Sequence, residues 1–247
     1  MLPRFFIPDR LAPGATIELP AAAAHHALKV LRLGAGETAI LFDGFGGQWQ
    51  ASLQPTGKTL RAHLQTFEER DLESPLDVTL VQALAAGDKM DWVVQKAVEL
   101  GVTRIQPVQS KRSVVRLSGE RLERRAEHWR SIAVAACEQS GRNRVPEVAP
   151  ILDLPQYLGA TVVAAQTDER WICVPESAPP APRMRDLPPP QQPILLLVGA
   201  EGGFEDGELA MARAAGFRAL SLGPRVLRTE TAGLAALAAI MALWGDA

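Results

Sequence analysis

The pattern of hydrophobic and polar positions changes near residue 70. Before that point, short β-forming runs alternate with turn signals, in RFFIP, ATIELP, TAILFDG, GQWQASLQ and LRAHLQTFE. The DGFGG between the third and fourth runs is typical of a hairpin turn, because glycine adopts positive φ at little cost. One helical segment, AAAAHHALKVLRL, interrupts the strands. We therefore predict a small β-barrel or meander over residues 1–70.

After the polar segment RDLESP, the pattern predicts alternating strands and helices. LDVTLVQALA reads as a buried strand, and the next helix has Asp88 at its start and Gly101 at its end. VTRIQPVQS is a second strand, and strand, helix and strand at this spacing predict a βαβ unit of a parallel sheet. Apolar residues at helical spacing predict a long helix over residues 118–140.

The last third of the chain predicts further strands at TVVAAQT, PILLLVG and FRALSLG, a helix over residues 206–215, and a final apolar helix. Residues 174–193 contain eight prolines in twenty positions, which excludes a helix and disfavours a strand. We therefore predict a second α/β domain over residues 76–247 with a mainly parallel sheet. Ligands bind such sheets beyond the carboxyl ends of the strands. This rule selects the loop after TVVAAQT, the loop GAEGGF and the loop GPRVLRTET.

Composition indicates a folded protein, with 47% hydrophobic and 22% charged residues. The net charge of −2 argues against indiscriminate nucleic-acid binding, yet residues 104–144 carry ten basic and four acidic side chains. One interpretation is a solvated helix face with Glu–Arg pairs, which fits residues 120–130. The loops QSKRSVVR and GRNR are better explained by contact with an anion such as phosphate.

The sequence gives no sign of a membrane, secretory or metal-binding protein. The first ten residues lack a signal-peptide pattern, and the apolar residues 232–244 are short of the roughly 20 that a spanning helix needs. The two cysteines, Cys137 and Cys173, have no metal-ligand spacing and read as free thiols in a reducing compartment. We expect a cytoplasmic protein without a metal.

Two loops carry the candidate chemistry. GAEGGF places three glycines between a strand and a helix, which suits either a tight turn or close approach of the backbone to a ligand. Its Glu201 fits a cation or ribose hydroxyls better than a phosphate. In GPRVLRTET, Thr229 or Thr231 could cap the following helix. Capping does not explain Arg225 and Arg228, because cations at the positive end of a helix dipole destabilise it unless an anion or polar ligand compensates.

Several blocks of the sequence carry a family resemblance. They are VVQKAVELGVTRIQPVQSKRS, EQSGRNRVPEV, LLLVGAEGGFEDGEL and LGPRVLRTETA, together with the N-terminal RFFI, HHALKVLRL and LFDGFGGQWQA. In this order they resemble the ribosomal small-subunit RNA uridine N3-methyltransferases, within the SPOUT methyltransferases. The resemblance covers nearly the whole chain. One departure is Ala200, where the family usually has proline, and we expect it to alter loop rigidity more than chemistry.

The resemblance implies a PUA-like, RNA-binding barrel followed by a SPOUT-type α/β domain with a trefoil knot. It also implies S-adenosylmethionine as methyl donor, bound by the three loops, a uridine of 16S ribosomal RNA in the small subunit as substrate, and a homodimer in which the partner completes each site. Two alternatives stay open. The enzyme could act on another RNA, since the fold hosts several substrates, or the chain could be a non-catalytic RNA-binding protein.

The chemistry of N3 methylation assigns roles to particular residues. Loss of the imide proton leaves negative charge on the uracil oxygens, which Arg228 could stabilise, while Glu230 or Glu138 could take the proton. The donor pocket is expected to comprise Thr167, Leu197, Gly199, Ala200, Glu201, Gly202, Leu222, Gly223, Val226, Leu227 and Arg228. Candidates for RNA contact are Arg4, His26 (or its neighbour His25), Arg32, Lys89, Arg112 and Arg142.

Overall fold

The structure, a computed structural model, describes residues 2–163, 168–175 and 181–247. It divides into two compact units. The first comprises Met1–Glu73 and Val134–Val145, and the second comprises Ser74–Ala133 and Pro146–Ala247. The first unit therefore includes a segment that lies, in sequence, within the predicted α/β domain.

The first unit contains a five-stranded sheet, and each of the five predicted runs forms one of its strands. The strand order is β1-β3-β4-β5-β2, antiparallel except for the parallel pair β1 and β3. The predicted DGFGG hairpin joins β3 to β4, and Gly44, Gly46 and Gly47 have positive φ there. The strands are β1 (Arg4–Phe6), β2 (Thr16–Glu18), β3 (Thr38–Phe42), β4 (Gln48–Thr56) and β5 (Thr59–Glu68).

Alternation along β4 and β5 builds the core of this unit. In β5, Leu60, Ala62 and Leu64 are buried, while Arg61 and His63 between them are exposed. The predicted helical segment forms α1 (Ala21–His25) followed by a π-helical turn, His26–Val30. Its small residues are buried against the sheet, and His25 and His26 remain exposed.

The second unit contains a parallel sheet of seven strands. The order is β12-β10-β11-β6-β7-β8, and β9 also pairs with β7. The strands are β6 (Val78–Ala83), β7 (Arg104–Gln109), β8 (Glu147–Val148), β9 (Leu152–Asp153), β10 (Glu169–Cys173), β11 (Ile194–Val198) and β12 (Arg218–Leu220). The helices are α2 (Lys89–Glu99), α3 (Glu120–Ser140), α4 (Leu154–Val163), α5 (Asp206–Ala214) and α6 (Thr229–Trp244). The parallel β6–α2–β7 unit confirms the predicted βαβ pattern.

The predicted strand TVVAAQT is wrong. Its first residues end helix α4, and residues 164–167 lie outside the described part of the chain. Thr161 donates a helical side-chain hydrogen bond to the Tyr157 carbonyl, and Leu158 is buried, so packing overrides the β-propensity of the local sequence. The strand of this region is instead β10, which the hydrophobic pattern did not predict because it begins with the charged residues Glu169 and Arg170. Arg170 is nevertheless buried, with its guanidinium donating to the Ala215 carbonyl at 2.7 Å.

Two predicted helix caps are also corrected. Helix α6 begins at Thr229 with Arg228 in the N-cap position and no side-chain cap, because the Thr229 hydroxyl donates instead to the Gly199 carbonyl. Asp88 occupies the N-cap position of α2 but makes no capping hydrogen bond. Gly101 does end that helix, with a φ of +84°. Among the described residues, no helix has the length and apolar character needed to cross a membrane.

Candidate functional site

A cavity of about 720 Å³ lies at the carboxyl ends of β10, β11 and β12 in the second unit. Three loops line it, as the rule for parallel sheets predicts. Two of them are the predicted loops GAEGGF and GPRVLRTET. The third follows β10 rather than TVVAAQT, and it contributes Val174 and Pro175. The cavity volume falls within the range of small-molecule sites.

The glycine-rich loop turns so tightly that side chains would not fit. A Cβ atom on Gly199 would lie 3.0 Å from the Phe204 ring, and one on Gly202 would lie 3.0 Å from Arg112 Cβ. Gly203 has a φ of +68°, and its N–H donates to the Ala200 carbonyl at 2.9 Å. The glycines are therefore required by the turn itself, and they also leave the backbone open to a ligand in the cavity.

Lys89 lies between two carboxylates beside this loop. Its Nζ is 2.9 Å from Glu201 Oε1 and 3.6 Å from Glu230 Oε2. The Ala86 N–H donates to Glu201 Oε1 as well, at 2.9 Å. Burial alone would raise the pKa of Glu201, but these hydrogen bonds outweigh it and hold the pKa below its ordinary value. The hydrogen bond to Glu201 raises the pKa of Lys89, so both groups are charged at neutral pH.

The two arginines of the loop GPRVLRTET differ from Lys89 in their surroundings. Arg225 and Arg228 line the cavity and are exposed, and within the described ranges neither guanidinium has a hydrogen bond or ion pair. Both lie at the N-terminal end of α6, where the helix dipole disfavours a cation. Protein contacts in the described part of the chain therefore do not explain them, which favours a role with a ligand.

Most of the predicted donor-pocket residues line the cavity. These are Gly199, Ala200, Glu201, Gly202, Leu222, Gly223, Val226, Leu227 and Arg228. Leu197 is instead buried in the core beneath, and Thr167 lies outside the described residues. Sequence reasoning missed Ile172, Cys173, Phe204, Leu209, Arg213 and Thr229, which also line the cavity. Correct placement of β10 would have identified the first two.

Arg4 and Arg142 were predicted to contact RNA, and the structure gives both guanidiniums hydrogen-bond partners within the first unit. Arg142 is buried in the first unit, where its Nε donates to Glu73 Oε2 at 3.1 Å. Arg4 donates to Gln48 Oε1 and to Asn143 Oδ1, each at 2.6 Å. These hydrogen bonds tie both guanidiniums to other residues of the first unit.

Three of the other RNA candidates, His26, Arg32 and Arg112, are exposed, and Lys89 is partly buried. His26 and its neighbour His25 are exposed, as is Arg32, which has an unusual positive φ of 57° for a non-glycine residue. Arg112 donates to the Gly202 carbonyl at 3.0 Å and lines the cavity with Lys89. On α3, ion pairs between glutamates and arginines confirm the interpretation of a solvated helix face over residues 120–130.

The two candidate bases have different surroundings. Glu230 Oε2 is buried and accepts no hydrogen bond from any described residue. Glu138 belongs to the first unit, where its Oε1 accepts a hydrogen bond from the Phe6 N–H at 2.9 Å. Burial raises the pKa of Glu138, opposed by that hydrogen bond and by the nearby His26 and Arg4. Burial therefore makes the Glu138 carboxylate a stronger base than an exposed one.

The cavity suits S-adenosylmethionine. Ile172, Leu222 and Leu227 offer apolar walls for an adenine ring, and the glycine-rich turn leaves backbone groups accessible. Glu201 supplies a carboxylate near the cavity for ribose hydroxyls or positive charge. Among the described residues, no group of three or more His, Cys, Asp or Glu side chains is arranged to hold a metal ion.

Comparison with protein families gives two matches. Residues 72–241 match the family model described as an RNA methyltransferase domain, and residues 19–62 match that of an RNA methyltransferase PUA domain. Among curated proteins, the chain is 37% identical to ribosomal RNA small subunit methyltransferase E of Synechocystis sp., covering 93% of this chain and 74% of that protein. It is 32% identical to the protein of the same name from Bacillus subtilis, covering 96% and 95%.

Solved structures give the same result. Ribosomal RNA small subunit methyltransferase E from Neisseria gonorrhoeae, bound to S-adenosyl methionine, is 42% identical, with a TM-score of 0.90 over 100% of this chain and 99% of that one. The protein Lpg2936 from Legionella pneumophila, in complex with the cofactor SAM, is 36% identical, with a TM-score of 0.93 over 100% of both chains.

Proposed function

Because this chain belongs to the ribosomal RNA small subunit methyltransferase E family, we propose that it methylates N3 of one uridine in 16S ribosomal RNA with S-adenosylmethionine. The observation that carries the proposal is the cavity at the carboxyl ends of β10, β11 and β12, with the unpaired Arg228 on its wall. A cavity for a small donor and an unused cation at its edge are what this reaction needs.

The loops after β10, β11 and β12 form the donor site in this proposal. The bound donor supplies a methyl group on a positively charged sulfur. Apolar side chains of the loops cover the adenosine, and the glycine-rich turn offers backbone hydrogen bonds. Positioning of donor and acceptor in line supplies much of the rate acceleration, because the transfer is a direct displacement.

Arg228 stabilises the acceptor in this proposal. When uracil N3 loses its proton, negative charge develops on the flanking carbonyl oxygens, and a guanidinium facing them lowers the barrier. Arg228 is exposed, lines the cavity and has no partner among the described residues, so it is free to make this contact. Arg225 shares these features and is its natural control.

Glu230 is our first candidate for the base, and Glu138 is the second. Glu230 directly follows Thr229 in the first turn of α6, and its buried Oε2 accepts no hydrogen bond from the described residues, with Lys89 Nζ 3.6 Å away. Burial raises the pKa of Glu138, which makes its carboxylate a stronger base than an exposed one. Glu230→Gln and Glu138→Gln distinguish them, because only loss of the true base removes the acidic limb of the pH–rate profile.

We further propose the arrangement implied by the family. It comprises an RNA-binding PUA-like domain over residues 1–70, a SPOUT domain over residues 76–247 with a trefoil knot, and a cytoplasmic homodimer in which the partner completes each site. His26, Arg32, Lys89 and Arg112 remain the candidates for RNA contact. Light scattering of the purified protein tests the dimer, and an experimental structure traced through residues 164–167 and 176–180 tests the knot.

Calorimetric titration with S-adenosylmethionine tests the proposal first, followed by transfer of a labelled methyl group to small ribosomal subunits that lack the modification. We expect a saturable donor site and RNA labelling. Donor binding with labelling of only another RNA would contradict the substrate, and absence of donor binding would favour a non-catalytic RNA-binding protein.

A further inference from the structure

A buried chain of hydrogen bonds joins three elements of the second unit. Gln82, near the end of β6, is fully buried, and its Nε2 donates to the Ala83 carbonyl and to Thr229 Oγ1, each at 3.0 Å. The Thr229 hydroxyl donates in turn to the Gly199 carbonyl. This hydrogen-bond chain therefore connects β6, the first residue of α6 and the first residue after β11.

The chemistry of the groups fixes the direction of this chain. A carbonyl oxygen can only accept, so the single hydroxyl proton of Thr229 must point to Gly199. The Thr229 oxygen then accepts a hydrogen bond, and the amide of Gln82 must present its nitrogen. The Ala83 carbonyl requires the same orientation of the amide. No alternative arrangement of donors satisfies both carbonyls, so the Gln82 amide, the Thr229 hydroxyl and the two carbonyls are held in one arrangement.

The packing around Gln82 is adapted to this chain. Gly233 lies one turn into α6, and a Cβ atom there would be 3.1 Å from Gln82 Oε1 and 3.3 Å from Leu80 Cδ1. Glycine is unfavourable inside a helix, yet here it lets α6 approach β6 closely. Gln82 Oε1 is buried and accepts no hydrogen bond from the described residues. A hydrocarbon side chain would fill this position without burying an unpaired acceptor. The amide is therefore explained by its NH₂ group, which donates both hydrogen bonds.

We infer that Gln82 is a positioning residue of the donor pocket, acting through Thr229 on the Gly199 carbonyl. The inference rests on the proposed function. Gln82 does not line the cavity, whereas Gly199 and Thr229 do, and Arg228 directly precedes Thr229. One polar chain thus sets both the start of the glycine-rich loop and the start of the helix that carries the acceptor-binding arginine.

Loss of the Gln82–Thr229–Gly199 hydrogen bonds should reduce the fraction of molecules whose pocket can bind the donor. Without the Thr229 hydroxyl, the Gly199 carbonyl has no partner among the described residues, and the loop gains access to conformations in which water satisfies it. The apparent affinity for a ligand falls in proportion to the binding-competent fraction. One lost hydrogen bond to a buried group corresponds to about a tenfold change.

Two variants of Thr229 form a matched pair for the test. Thr229→Val keeps the shape and removes the hydroxyl, and Thr229→Ser keeps the hydroxyl. Titration with S-adenosylmethionine should show about tenfold weaker binding for Thr229→Val and for Gln82→Met, and a change of less than about threefold for Thr229→Ser. The double variant Gln82→Met/Thr229→Val should lose no more than either single variant, because all three break the same chain.

Hydrogen exchange without the donor gives a readout independent of catalysis. The Gly203 amide, which donates to the Ala200 carbonyl, should exchange about tenfold faster in Thr229→Val and Gln82→Met than in the wild type or Thr229→Ser. Equal donor affinity and equal exchange in folded Thr229→Val and wild type would overturn the inference, as would additive losses in the double variant. Failure of the wild type itself to bind the donor would instead overturn the proposed function.

Discussion

The buried ion pair of Arg142 and Glu73 allows a structural role to be separated from RNA binding. The two side chains are 5% and 14% exposed, and the Arg142 guanidinium makes several hydrogen bonds to the carboxylate. Replacement of either partner by methionine leaves a buried charge without its counter-ion. We therefore expect Glu73→Met and Arg142→Met each to lower the free energy of unfolding by about 3 to 5 kcal/mol.

This loss should be visible in both thermal and urea denaturation. For a protein of this size, each kcal/mol shifts the melting temperature by roughly 2 to 4 °C, so the midpoint should fall by roughly 6 to 20 °C. The double variant Glu73→Met/Arg142→Met removes both charges and should recover most of the stability, because apolar replacements of a buried pair are often neutral. Its RNA affinity should equal that of the wild type.

The exposed pair of Arg104 and Glu147 provides the control. Its charged atoms are 2.7 Å apart, but the side chains are 44% and 57% exposed. Arg104→Met should therefore cost less than about 1 kcal/mol. The reasoning is refuted if Glu73→Met is no more destabilising than Arg104→Met, or if the folded double variant loses RNA affinity.

Three further predictions follow from the site and its surroundings. Arg228→Ala should lower the single-turnover rate of methyl transfer by about 10² to 10³-fold and should weaken donor binding by no more than about threefold. Arg225→Ala should lower that rate less, and equal losses in the two variants would contradict the assignment. Because burial raises the pKa of Glu138 in the folded state, the wild type should lose stability as pH rises from about 4.5 to that raised pKa, and urea melts of Glu138→Gln should lack this slope. Burial raises the pKa of Cys137 to about 12, so this thiol should not react with iodoacetamide at pH 8 until urea unfolds the protein, and fast labelling of Cys137 in the native chain would contradict its burial.

The sequence predicted elements whose determinants are local. The DGFGG hairpin and the GAEGGF turn depend on glycines at positive φ or in close contact, and both appear where the residues predict them. The apolar stripe of α2 and the continuous aliphatic β11 are also readable from single segments. Three loops at the carboxyl ends of parallel strands followed from the fold class, so most of the cavity could be predicted.

Three of the misread features involve partners distant in sequence. Arg142 looked like a free cation because Glu73, 69 residues away, cannot be identified as its partner from spacing. Thr229 looked like a helix cap because the Gly199 carbonyl, 30 residues away, is brought near only by the fold. Strand β10 was missed because Arg170 is charged, and the Ala215 carbonyl that satisfies it lies 45 residues away. Local propensity cannot predict such contacts.

The central claim is that this chain transfers a methyl group to N3 of a uridine in 16S ribosomal RNA. The most direct measurement is mass-spectrometric mapping of 16S RNA after small subunits lacking the modification are incubated with the purified protein and isotopically labelled S-adenosylmethionine. The account predicts one labelled nucleotide, a 3-methyluridine, which disappears with Arg228→Ala. Labelling at another atom or nucleotide type, or in an RNA outside the small subunit only, would contradict it.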